Sequence, residues 1–117
     1  MKEINEWLSQ FTEAWKTHAI DKVLALFSDD LEYWETPFKK ITNKIELEKE
    51  WQYIKIQTNI QIKCKVFSIS GNKYSIFWEL KYENNKNVQK ELRGIYLIEL
   101  DDQKKCKYFF HCGESKI

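Results

Sequence analysis

Residues 11–38, FTEAWKTHAIDKVLALFSDDLEYWETPF, run from one helical pattern through a second into a strand, and their reading decides the fold. The stretch begins inside a longer pattern. Ile4, Trp7, Leu8, Phe11, Ala14 and Trp15 recur at i, i+3, i+4 and i+7, which predicts a helix over residues 2–17. A shorter helix is predicted over about 19–27. Ile20, Val23, Leu24 and Phe27 form its apolar stripe, and Asp21 sits in its first turn, where a negative charge suits the helix dipole. Ser28, Asp29 and Asp30 end it. Residues 31–36 then read as a short strand stopped by Pro37, which has no N–H to give to a sheet ladder. Tyr33 and Trp34 stand between Glu32 and Glu35, beside the chain's one proline. Bulky rings next to carboxylates at a strand end suggest the rim of a ligand pocket.

Beyond this stretch, TNKIELEKEWQYI (residues 42–54) predicts a third helix. Asn43 and Glu46 have the spacing of a capping box, and Leu47, Trp51 and Ile54 share one face. From about residue 58 the apolar period falls to two. Ile60, Ile62, Cys64 and Val66 alternate with polar residues, and Tyr74, Ile76, Trp78, Leu80 and Tyr82 do so after a Gly71–Asn72 turn. Residues 88–100 and 105–112 complete a meander of four long strands. Helices grouped before strands argue α+β, with the helices on one face of the sheet. Long strands curl in a small protein. The expected architecture is therefore three helices packed on a strongly curved, mainly antiparallel sheet. Together they form a cone with a central cavity, in one domain over residues 1–117.

Composition narrows the function. The chain has 117 residues, so it can bury roughly 65% of the surface its unfolded form exposes. Aromatic residues reach 15%, including five tryptophans, and such rings line cores and small-molecule cavities alike. Nineteen basic and 18 acidic residues are interspersed, and all the basic ones are lysines except Arg93. That balance carries no footprint for nucleic acid. No apolar run approaches the ~20 residues of a membrane span. Cys64, Cys106 and Cys112 are odd in number and lack C-x-x-C spacing, which points to buried free thiols in a reducing, cytoplasmic compartment. No metal site or cofactor is expected, because the three cysteines and two histidines are not paired at ligand spacing.

The segment 11–38, the Trp51 helix and the strand GIYLIELDDQKKCKYF (residues 94–109) together resemble the nuclear transport factor 2-like superfamily, in its SnoaL-like branch. The resemblance spans nearly the whole chain. It implies a cone-shaped fold but no single activity, since that superfamily holds isomerases, cyclases, dehydratases, hydrolases and non-catalytic binding domains. Mapped onto ketosteroid isomerase, the aspartate base before the strand-ending proline corresponds to Thr36, which is no base at neutral pH. The first-helix tyrosine corresponds to Phe11, and the second oxyanion acid to Tyr96. In SnoaL-like cyclases the acid lies on the last strand, where this chain has His111, with Glu114 beyond.

The resemblance leaves Tyr96 and His111 as the candidates for chemistry. Trp15, Trp34, Trp51, Trp78, Tyr96 and His111 are the expected pocket wall. Trp34 is taken as inward by parity from Thr36, unless a bulge reverses it. Glu32 and Glu35 are expected to be solvated. On the last strand, alternation favours the even positions as inward, whereas the resemblance favours Phe109 and His111. Inward parity on the two central strands makes opposed residue numbers sum to an even number, and a sum of 172 sets Trp78 over the missing side chain of Gly94 and Glu79 across from Arg93. Phe77, Ile95 and Leu97, with Tyr108 and Phe110, then form an apolar outer face. Relatives of this fold commonly dimerise through it, so a homodimer is expected. The leading expectation is a homodimer binding a small apolar or aromatic molecule. The alternatives are a SnoaL-like enzyme using His111 and Tyr96, and a non-catalytic interaction module.

Overall fold

The computed structural model describes residues 1–116. Helix α1 spans Lys2–Lys16 and buries Ile4, Trp7, Leu8, Phe11, Ala14 and Trp15, the stripe its spacing predicts. His18, at the helix junction, takes the left-handed conformation (φ 58°) and turns the chain. Its Nε2 lies 2.6 Å from the Gln57 carbonyl, while Trp15 Nε1 donates to Gln57 Oε1 at 2.8 Å. The junction is thereby tied to the start of the long strands.

Helix α2 is shorter than its pattern predicts, at Ile20–Leu24, and strand β1 is longer, at Phe27–Thr36. Phe27 and the Ser28–Asp30 run belong to the strand rather than to a helix and its end. The cause is non-local. Phe27 sits opposite Cys106 of the last strand, and the carbonyl of Leu26 accepts both the Cys106 N–H at 2.8 Å and the Trp7 indole N–H at 2.9 Å. Helical spacing over a few residues yields to that pairing. A three-residue strand, β2 (Lys39–Ile41), folds back on β1. Helix α3 (Lys44–Trp51) starts at Asn43, whose Oδ1 accepts the Glu46 N–H at 2.9 Å, the cap its sequence signals. A 3-10 turn over Gln52–Ile56 leads into β3 (Thr58–Ser70), β4 (Lys73–Glu83), β5 (Gln89–Leu100) and β6 (Cys106–Ser115).

The six strands form one open sheet in the order β2-β1-β6-β5-β4-β3. The β1–β6 pair is parallel and the others are antiparallel, so the sheet is mixed. The fold is α+β, with three helices against this sheet. The β4–β5 register is the expected one, with Trp78 opposite Gly94 and Glu79 opposite Arg93. Gly113 of β6 lies next in line, across from Gly94. A Cβ on Gly94 would stand 2.6 Å from Trp78 Cζ2, and one on Gly113 would stand 2.8 Å from Trp78 Cη2. Two side-chain-free positions thus let one indole lie flat on the sheet.

Phe11 joins the helical layer to the sheet. Its ring lies 5.4 Å from Trp51, 5.9 Å from Tyr96 and 5.9 Å from Phe109. On the other face of the sheet Phe77, Ile95 and Leu97 are exposed, as expected, and Phe67, 70% exposed, packs edge-on against Phe77 at 5.1 Å. Glu79 and Arg93 make an exposed cross-strand pair at 3.6 Å. Of the three free thiols, Cys106 is buried and Cys64 partly so, but Cys112 is exposed, contrary to expectation, because it stands on the outer face opposite Ile95. No helix among the described residues is long and apolar enough to cross a membrane.

Candidate functional site

The end of β1 sets the site. Trp34 pairs with Lys40 and Thr36 with Lys39, so Glu35 is an extra residue on β1, a bulge. Parity counted back from Thr36 therefore fails. Tyr33 faces inward, 2% exposed and stacked on Phe109 at 4.9 Å. Trp34 faces outward and is not part of the expected pocket wall. Its Nε1 donates to Glu32 Oε2 at 2.8 Å, and its ring lies 6.4 Å from Phe110, with Lys40 Nζ 5.8 Å from the ring centre.

Glu35 follows Leu31 and Tyr33 in ordinary strand alternation and so faces inward, where solvation was expected. The Tyr33 hydroxyl donates to Glu35 Oε2 at 3.0 Å. Burial of the carboxyl pushes its pKa from 4.5 to about 7. The Tyr33 bond and Lys39 oppose the rise, and Glu50 adds to it. At neutral pH this carboxyl is close to half protonated, the condition that suits a group both giving and taking a proton.

His111 sits beside Glu35. Its Nδ1 donates to the Glu35 backbone carbonyl at 2.7 Å, which leaves Nε2 with the lone pair in the neutral ring. Burial lowers its pKa and the Glu35 carbonyl bond opposes that, so the neutral form is favoured. The ring is stacked 5.2 Å from Trp78 and lies 5.8 Å from Tyr96, its cross-strand partner. His111 and Phe109 are thus inward and Phe110 is outward. Simple alternation fails because the β5–β6 register shifts between Glu99–Tyr108 and Leu100–Cys106, so Cys106 is also inward. Glu114 is exposed at the strand end opposite Arg93, away from this group.

Tyr96 is 2% exposed. Burial holds its hydroxyl well above the usual range, with Cys64, Tyr53 and Glu35 adding to the rise, so it stays a neutral donor. Tyr53, on the 3-10 turn, stacks 5.9 Å from Trp51 and is raised by burial and then by Glu35 and Glu50. It is 38% exposed while Trp51 beneath it is 1% exposed, so it covers that indole.

Trp15, Trp51, Trp78 and Tyr96 converge as expected. Trp15 meets Trp51 edge-on at 4.9 Å, and Trp78 stacks on Tyr96 at 5.5 Å. The rings fill the space between them. Grooves of about 500 to 640 Å³ lie on the surface, where Trp78 borders one and Trp15, Trp51 and Tyr96 border none, so these rings pack together where a central cavity was expected. Two buried donors among these rings, Trp51 Nε1 and Trp78 Nε1, have no hydrogen-bond partner among the described residues.

Sequence reasoning therefore anticipates that Tyr96, His111, Trp15, Trp51 and Trp78 pack on the inward side, and does not anticipate that Tyr33, Glu35 and Tyr53 join them. The signal for Glu35 was its place beside Thr36 at the strand-ending proline. A second signal was the alternation of Leu31, Tyr33 and Glu35 itself.

No family model and no curated protein matches the chain. Solved structures do match it. A nuclear transport factor 2-like protein of unknown function from Exiguobacterium sp. 255-15 is 14% identical, with 92% of this chain and 98% of that one covered and a TM-score of 0.77. A Mycobacterium tuberculosis protein, solved in complex with estradiol-17β-hemisuccinate, is 16% identical over 93% of this chain and 92% of that one, with a TM-score of 0.79. The Δ5-3-ketosteroid isomerase of a Mycobacterium species is 14% identical over 97% and 98%, with a TM-score of 0.81. The chain has the α+β fold of the nuclear transport factor 2-like, SnoaL-like proteins.

Proposed function

We propose that residues 1–117 form a cytoplasmic domain that binds a small apolar or aromatic molecule inside the cone, with the molecule's polar end at Glu35, His111 and Tyr96. The observation that carries this reading is Glu35. A partly buried carboxyl with a pKa of about 7, bonded by a buried tyrosine, with His111 on its backbone carbonyl, has little purpose in a purely structural core. Binding moves rings that fill the cone, and Tyr53, the half-exposed cover of Trp51, is the ring placed to move first. The steroid complex of the Mycobacterium tuberculosis neighbour supports the ligand class. The three free thiols support a reducing compartment.

The reading is tested by two-dimensional NMR with 2-naphthol as probe. The expected result is saturable shifts centred on Trp51, Trp78, Tyr96 and His111. Shifts confined to Phe77, Ile95 and Leu97 overturn it.

A second reading follows from the same carboxyl. In a SnoaL-like isomerase, cyclase, dehydratase or hydrolase, Glu35 transfers the proton. Tyr96 donates to the developing oxyanion, and His111 Nε2 is a second proton acceptor.

The outer face supports a homodimer. Phe67, Phe77, Ile95 and Leu97 give a contiguous apolar strip, and Glu79 and Arg93 flank it rather than cover it. A stable two-fold interface needs roughly 800 Å² from each partner. Leu97→Lys is expected to place like charges near the axis and yield a monomer. Light scattering is the check. A wild-type monomer at high micromolar concentration overturns the homodimer, and a dimer that survives the substitution moves the interface elsewhere.

A further inference from the structure

Glu35 is a half-buried carboxyl for which the fold supplies no cation. Among the described residues it joins no ion pair, and the Tyr33 hydroxyl at 3.0 Å is its only side-chain hydrogen-bond partner. Lys39 acts on its charge but is committed elsewhere. The Lys39 Nζ lies 2.8 and 3.3 Å from the two carboxylate oxygens of Glu50, which pushes on Glu35 in the opposite direction. His111 supplies no positive charge either. Its Nδ1 is held by the Glu35 backbone carbonyl, and burial keeps the ring neutral. An ionised Glu35 is therefore desolvated without a partner, which is costly.

The other groups near the carboxyl are aromatic. Tyr53 and Tyr96 are close enough for its charge to act on their hydroxyls, and Tyr53 is 38% exposed. Rings beside a carboxylate are the surroundings that hold an organic cation. A neutral hydroxyl here would gain a hydrogen bond and leave the charge unmatched. An anion would meet Glu35 and Glu50 together.

We infer that the molecule bound at this site is an organic cation, an aromatic or apolar amine whose ammonium group pairs with ionised Glu35 beside Tyr53 and Tyr96. The inference rests on the pocket reading above and adds the charge and chemical class of the ligand. The ammonium group supplies the counter-ion that the chain itself withholds.

The probes are 2-naphthylmethylamine, 2-naphthylmethanol and 2-naphthoate, which share a ring system and differ in charge. The amine stays protonated between pH 5 and pH 8. At pH 8 it is expected to bind at least about tenfold tighter than the alcohol. At pH 5, where Glu35 carries its proton, most of that advantage is expected to be lost. In a ¹³C spectrum the Glu35 carboxyl carbon, identified by its absence in Glu35→Gln, is expected to titrate lower by about one unit or more with the amine bound, and far less with the alcohol. Glu35→Gln is expected to bind amine and alcohol alike. Three results overturn the inference while leaving the pocket intact: equal binding of amine and alcohol at pH 8, an amine preference that persists in Glu35→Gln, or tighter binding of 2-naphthoate than of the amine. If none of the three probes shifts Trp78, Tyr96 or His111, the pocket reading fails and the inference fails with it.

Discussion

Replacing Glu35 with glutamine should make the protein more stable above pH 7 and flatten its stability between pH 5 and 8. The reasoning is one of proton linkage. The folded carboxyl has a pKa of about 7 against 4.5 when exposed. Between those values the folded state holds a proton that the unfolded state has lost, so wild-type stability falls as pH rises through that window. Below 4.5 both states are protonated and no loss is present. Above about 7 the loss is complete. It amounts to at most about 3 kcal/mol, reduced to the extent that the carboxyl's exposed edge is solvated. Glutamine keeps an acceptor for the Tyr33 hydroxyl and carries no charge to desolvate. Urea titrations of both proteins at pH 5 and pH 8 provide the measurement. The wild type should lose stability across the interval relative to the variant. Parallel behaviour would mean that the carboxyl is solvated after all. If Glu35 transfers a proton in catalysis, the same variant should lose about 100-fold or more in turnover while gaining stability at pH 8. A merely structural carboxyl would not separate the two effects.

Trp51→Ala should destabilise the fold by roughly 3–5 kcal/mol. Trp51 is 1% exposed and lies against Phe11, Trp15 and Tyr53 at 5.4, 4.9 and 5.9 Å. Removing the ring leaves a cavity that three other large rings, each fixed by its own contacts, collapse into only partly. Trp34→Ala is the control. That ring lies on the outer face beside Phe110, half-buried, and its loss should cost roughly 1 kcal/mol. Chemical denaturation of both variants tests the inside–outside assignment directly. Equal losses would place Trp34 in the core and reverse the bulge at Glu35.

The elements were legible in the sequence wherever a local period had room to repeat. Helix α1 shows every predicted core position because its stripe recurs over four turns. The capping residue Asn43 was readable because a cap is made within four residues. The β4–β5 register was readable because two long inward sets of equal parity leave few solutions, and the Gly94 gap under Trp78 selects one. The fold class followed from helices preceding strands. The positions of Tyr96 and His111 followed from the resemblance that these patterns carry.

The site itself was decided in three dimensions. A bulge is a mismatch between two strands, so neither strand's own sequence states it. At Glu35 one extra residue against β2 breaks the parity between Thr36 and Trp34, so a count back from Thr36 puts Trp34 and Glu35 on the wrong faces. At the start of β6 another irregularity turns Cys106 and His111 to the same face although their numbers differ in parity. The start of β1 at Phe27 likewise depends on Cys106, nearly eighty residues away. Local periodicity is a property of one segment and could be read by itself. Register and desolvation are properties of segments meeting, and only the folded chain sets them.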